Sequence, residues 1–254
     1  MIANPVMRHA PADPDHDVVV RLTRVSVTYG SGHTAVHALK DASAELRRGE
    51  VLIVNGPSGS GKSTFLQVMG ALITPTSGDV WIRGRSIRDL SAEALSRLRL
   101  ECLGFIFQGY NLLPTLTAWE NIAVMLDLKG VRGREAERRS RALLETVGLS
   151  HRADAFPRQL SGGERQRTAI ARALAADPAV ILADEPTAAI DASAGRQIAT
   201  LLAALAHDDR RAVLIVTHDA RLRDFATRYL CLDDGRLIDD ERAEDATGVA
   251  HAPA

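Results

Sequence analysis

Apolar positions along this chain fall into short runs separated by turn residues. VVVRL and RVSVTY, between residues 18 and 29, alternate as strands do, and Ala42, Ala44 and Leu46 recur at every second position. Arg48-Gly49-Glu50 reads as a turn. VLIVN at 51–55 is apolar without alternation, the pattern of a parallel strand buried on both faces. A Gly-rich loop follows, and then a helix predicted from Lys62 to about Leu72. Asp79–Arg83 and the residues after it predict an exposed strand pair, and LGFIFQ a buried strand ending at Gln108. From 115 to 148 the period becomes helical, with Thr117 and Glu120 spaced as a capping box and Gly148 as a stop. A second helix is predicted from Ser161 to about Ala176. VILAD at 180–184 and AVLIVTH at 212–218 are buried strands, and YLCLDDGRLI at 229–238 a closing hairpin. Strands alternating with helices predict the α/β class with a mostly parallel sheet. Residues 1–16 and 241–254 lack periodicity and are expected to be disordered tails around a domain at 17–240.

Composition narrows the picture. With 254 residues, 46% hydrophobic and 25% charged, the chain is long enough for a large folded core, and wholesale disorder is excluded. The formal net charge is -1, so no basic excess points to a nucleic-acid surface, and no nucleic-acid partner is expected. Cys102 and Cys231 are far apart in sequence and are expected to be reduced. No apolar run approaches the roughly 18–20 residues that cross a bilayer. Pro and Asp interrupt the N-terminus where a signal peptide needs an apolar stretch. A cytoplasmic location follows as the expectation, with any membrane role exerted through a partner.

The strongest local signal is Gly56-Pro57-Ser58-Gly59-Ser60-Gly61-Lys62-Ser63, followed by Thr64, a match to G-x-x-x-x-G-K-[ST] between a buried strand and a helix. Glycines let backbone N–H groups converge on phosphate oxygens, and the helix N-terminus adds partial positive charge. Lys62 is expected to reach the β- and γ-phosphates, and Ser63 to offer its hydroxyl to Mg²⁺. Asp184, at the end of VILAD, is a second candidate Mg²⁺ ligand, and Glu185 after it is placed to take a proton from an attacking water. No NKxD motif is present, which argues against a GTPase.

Leu160-Ser161-Gly162-Gly163-Glu164 resembles the LSGGQ signature of ABC-transporter ATPases, and it stands upstream of VILADEP at the usual distance. The resemblance extends over about residues 18–238. Within the superfamily, GPSGSGKST, GFIFQGYNLLPTLTAWENI and ILADEPT look most like the lipoprotein-release and macrolide-export group. It implies a P-loop NTPase (RecA-like) core, an N-terminal antiparallel β subdomain and an α-helical signature subdomain at about 109–165. It implies ATP and Mg²⁺ as cofactors, Tyr29 stacked on adenine, Gln108 sensing Mg²⁺ and γ-phosphate, Asp191 in the D-loop, and His218 holding the γ-phosphate. It also implies a head-to-tail homodimer, in which each ATP lies between one copy's phosphate loop and the other's Ser161–Glu164. A separate integral-membrane permease is the implied second partner, with cargo exported or lipid extracted. Two other readings stay open: an ATPase regulating a non-transporting membrane complex, and a soluble ABC ATPase. Trp119 and Tyr110 are either core or partner-facing. Ala188 stands where the family has glycine, so the D-loop turn is expected to be stiffer or differently shaped.

Overall fold

A computed structural model describes residues 17–207 and 210–242. The expected N-terminal tail lies outside the described residues. Along the chain come β1 (Val18–Tyr29), β2 (Val36–Arg47), β3 (Val51–Asn55), α1 (Lys62–Met69), β4 (Ser77–Ile82) and β5 (Arg85–Ser86). Then follow α2 (Ala92–Cys102), β6 (Leu103–Ile106), α3 (Ala118–Leu128), α4 (Gly133–Thr146) and α5 (Gly162–Leu174). The chain closes with β7 (Val180–Asp184), α6 (Ala192–His207), β8 (Ala212–Thr217), β9 (Arg228–Asp233) and β10 (Arg236–Arg242).

One sheet is antiparallel in the order β2-β1-β4-β5. The other has the order β10-β9-β3-β8-β7-β6, parallel except for the β9–β10 hairpin. The parallel strands explain their own sequences. Leu52, Val54, Leu182, Leu214 and Val216 enter one core, shared with the antiparallel sheet, α1 and α2. Val51, Ile53, Ile181, Ala183, Val213 and Ile215 enter a second core beneath α3–α6. Each strand therefore needs apolar side chains on both faces, and alternation disappears.

Several expectations are corrected. The two strands read at 18–29 are one strand with a register shift around Arg24, which adopts φ 47. The helix at Lys62 ends at Met69: Gly70 leaves helical ψ and Ala71 turns left-handed, with φ 50. The strand read up to Gln108 stops at Ile106. The helical stretch at 115–148 divides into α3 and α4 at Gly130 and Gly133, with φ 80 and 61. The helix expected from Ser161 to about Ala176 is α5, which runs to Leu174 and crosses position 165. The expected C-terminal boundary falls inside β10, so Glu241 and Arg242 belong to the sheet, and residues 243–254 lie outside the described residues. The apolar pattern does not predict two of the helices, α2 and α6. Each is capped at its start, by Ser91 accepting from Ala94 N and by Asp191 accepting from Ser193 N and Ala194 N. Cys102 and Cys231 are free thiols.

Candidate active site

The site forms at the carboxyl edge of the parallel sheet, where ligands gather in open α/β folds. Register brings its parts together. Asn55 is opposite Thr217, and Asp184 is opposite Val216. The chain leaving β3 thus lies beside Asp184-Glu185 and Thr217-His218. A cleft of about 540 Å³ opens there, lined among others by Tyr29, Lys62, Ser63, Gln108, Asp184, Glu185 and His218. Ser58, Gly59, Gly61 and Thr64 line it too.

The phosphate loop is shaped by close approaches. Gly61 has φ 104 and caps α1 with no side chain; a Cβ there would collide with the Ala38 carbonyl. A Cβ on Gly56 would collide with the Leu232 carbonyl. Lys62 is buried, and its Nζ donates to the carbonyls of Gly56 and Pro57 at 2.8 and 2.9 Å. The loop thereby folds around the ammonium group. Ser60 is also buried, and its N–H donates to Pro57 O. Ser63 Oγ lies 3.4 Å from Asp184 Oδ1. Burial raises the Asp184 pKa; the Glu185 charge adds to that, while the Ser63 hydrogen bond and Lys62 oppose it. Two hard oxygen donors, one a carboxylate short of positive charge, form a set that fits Mg²⁺.

Glu185 sits in a left-handed conformation, φ 47, fixed by its N–H donating to Val216 O at 2.9 Å. Its Oε2 accepts from Thr217 Oγ1 at 3.0 Å, and its Oε1 faces His218 Nδ1 at 2.7 Å. A carboxylate only accepts, so Nδ1 is the protonated nitrogen and Nε2 is left for the exposed side. Tyr29, 45% exposed, ends β1 at the mouth of the cleft.

Ser161, Gly162, Gly163, Glu164 and Asp191 do not line this cleft. Ser161 caps α5: its Oγ accepts from Glu164 N at 3.2 Å, and its own N–H donates to Glu164 Oε2 at 2.7 Å. Arg152 Nε lies 3.1 Å from Glu164 Oε1. The backbone hydrogen bond from Ser161 is the largest of the influences that hold the Glu164 pKa down. Ala188 is not among the residues of positive φ, and its N–H donates to Glu185 O at 3.2 Å, so this turn carries a Cβ without backbone strain.

Sequence reasoning missed part of the cleft wall: Val36, His37, Ala38, Asp234 and Gly235 also line it. Gly235 N donates to Ser60 O, Lys40 N donates to Gly235 O, and Lys40 Nζ reaches Asp234 at 2.6 Å. The Asp-Gly pair does signal a hairpin turn. Nothing local says that the turn rests on the phosphate loop.

Comparison with known proteins agrees with this geometry. The ABC transporter family profile matches residues 39–188, and the chain belongs to that family, as an ATP-binding cassette that hydrolyses ATP. An uncharacterized ABC transporter ATP-binding protein of Thermotoga maritima is 44% identical over 88% of this chain and 95% of its own. The macrolide export ATP-binding/permease protein MacB of Salmonella typhimurium is 42% identical over 89% of this chain, which spans 35% of that longer protein. The dimeric post-hydrolysis structure of the Methanocaldococcus jannaschii cassette MJ0796, bound to ADP and Pi, superposes with a TM-score of 0.82. It is 41% identical, and the match covers 88% of this chain and 98% of that one.

Proposed function

We propose that this chain powers an integral-membrane permease by ATP-driven head-to-tail dimerisation with a second copy of itself, and that the permease exports its cargo or extracts lipid or lipoprotein. One observation carries the reading. The hydrolytic groups share a single cleft, while the anion-ready start of α5 stands outside it. A phosphate for Ser161–Gly163 must then come from elsewhere, and another copy's cleft supplies one. The relatives support it: MJ0796 was solved as a dimer, and MacB joins a cassette to a permease in one chain.

In this reading Tyr29 stacks on adenine, the N–H groups of residues 56–64 and the Lys62 ammonium hold the phosphates, and Ser63, Asp184 and Gln108 hold Mg²⁺. The metal supplies charge neutralisation at the phosphates. Glu185, oriented by Thr217 and His218, accepts the proton of the attacking water. Held by Glu185 at Nδ1, His218 presents Nε2 to the γ-phosphate and donates to it in the imidazolium form. Ser161 Oγ has spent a lone pair on its cap, and its O–H remains to donate to the partner copy's phosphate. Asp191 caps α6 and fixes the D-loop at the dimer face.

The permease surface is a groove of about 350 Å³ beside Gln108, lined by Phe107, Leu113, Val124 and Met125, with Leu113 and Val124 exposed. Trp119 instead packs against the second core, with Arg141 over its ring at 5.8 Å. Among the described residues no helix is long and apolar enough to cross a membrane. In this reading the chain sits at the inner membrane face by binding its permease.

The test is Glu185→Gln. Losing a general base costs on the order of 10²–10⁴ in rate, while ATP binding is retained. The expected product is a stable ATP-bound dimer by light scattering. Near-wild-type turnover would remove Glu185 from the role, and a variant that stays monomeric at saturating ATP beside its permease would remove the dimer.

A further inference from the structure

The segment after Gln108 adopts two successive left-handed residues, Tyr110 at φ 60 and Asn111 at φ 49. Such a pair persists only when its surroundings hold it. Arg172 of α5 does so, its guanidinium donating to Tyr110 O at 2.9 Å and Asn111 O at 2.5 Å. The turn aims the Tyr110 side chain away from the permease groove, whose lining does not include it. Its hydroxyl donates to the Ala189 carbonyl in the D-loop at 3.3 Å. The Arg165 guanidinium of α5 stands 5.0 Å over its ring. Gly162 leaves just enough room: a Cβ there would lie 3.3 Å from Tyr110 Oη and 3.2 Å from Ala189 O.

Three segments therefore meet on one side chain. Gln108 lines this copy's own cleft. The start of α5 and the D-loop do not; in the shared-site reading, on which this inference rests, they serve the other copy's nucleotide. We infer that Tyr110 is a positioning residue coupling the two nucleotide sites: its hydroxyl makes the D-loop and the start of α5 move with the Gln108 segment. Closure around one ATP then sets the groups offered to the other. The half-exposed hydroxyl bridges exposed loops, where it adds little to the stability of the fold.

Tyr110→Phe removes the hydroxyl and keeps the ring over which Arg165 sits. The full-length variant and wild type are compared by melting, by a fluorescent ATP analogue on dilute protein, and by ATPase rate against both ATP and protein concentration. Melting within about 2 °C of wild type and analogue affinity within about twofold are expected. The Hill coefficient, which reaches at most about 2 for two sites, falls toward 1. The protein concentration giving half-maximal rate rises on the order of fivefold, the loss of one hydrogen bond. A variant as cooperative as a cooperative wild type overturns the coupling. So does a lower kcat at unchanged Hill coefficient, which would confine Tyr110 to its own cleft. A wild type whose rate ignores protein concentration and shows no cooperativity would overturn the shared site itself, and the coupling with it.

Discussion

The first turns of α1 and α5 solve the same problem in opposite ways. Both helices start with N–H groups that have no partner inside the helix. At α1 the cap is Gly61, with no side-chain acceptor and no acidic residue in the first turn. The donors stay open, and Lys62 adds charge beside them. At α5, Ser161 and Glu164 close a reciprocal capping box, and Glu164 places a carboxylate at the positive end of the helix. One start is completed by its ligand. The other is complete in the single subunit and offers what its cap leaves over. This difference suits a phosphate held throughout on the first and arriving late on the second.

The largest expected effect comes from closing the open start. Gly61→Ala puts a Cβ against the Ala38 carbonyl at φ 104, and misplacement of the loop by about 1 Å should weaken ATP binding about 10²-fold. Titration with a fluorescent ATP analogue reads it, and unchanged affinity would show that the loop tolerates another shape. Opening the closed start should act differently. Ser161→Ala loses the cap, about 1 kcal/mol or 2–4 °C in melting temperature, with ATP affinity of the isolated chain unchanged and ATPase activity down at least about tenfold. A fall in affinity would place α5 at its own subunit's nucleotide. Glu164→Gln should do least, because an amide oxygen still accepts from Ser161 N. The folded pKa of Glu164 is lowered by that hydrogen bond, so its stabilisation is full above the unfolded value of about 4.3 and fades as pH falls through the folded one. Wild type should melt slightly above the variant at neutral pH, and the two curves should converge in acid. A constant gap from pH 7 to 3 would mean that the charge plays no part.

What could be read in the sequence was what is chemically local. Phosphate binding needs consecutive N–H groups, a lysine and a hydroxyl, and these must be neighbours in the chain. Strands buried on both faces must be apolar throughout, so VLIVN, VILAD and AVLIVT identify themselves. The Thr117–Glu120 box needs only four residues and is present. The wall made by Val36, Ala38, Asp234 and Gly235 could not be read, since nothing local ties a distant hairpin to residue 60. The Arg172 grip on Tyr110 spans 62 residues and has the same cause. The missed α6 opens with Ala-Ser-Ala-Gly, too polar and too small at its start to announce an apolar face, although Ile198 and Leu202 are fully buried further on.

The β9–β10 hairpin carries a consequence for how the protein is made. The Leu232 carbonyl and the Gly235 N–H bear directly on Gly56 and Ser60, and Tyr229 Oη accepts from Asn55 Nδ2, 174 positions earlier. A ribosome adding about 5–20 residues per second needs roughly 9–35 seconds to cover that separation of 174. Throughout that interval the nascent chain displays a phosphate-binding motif that lacks the part of its wall supplied by the hairpin. The native shape of the loop is thus completed only once the hairpin has been made, and a chain truncated before residue 229 should bind ATP more weakly than the chain that carries it.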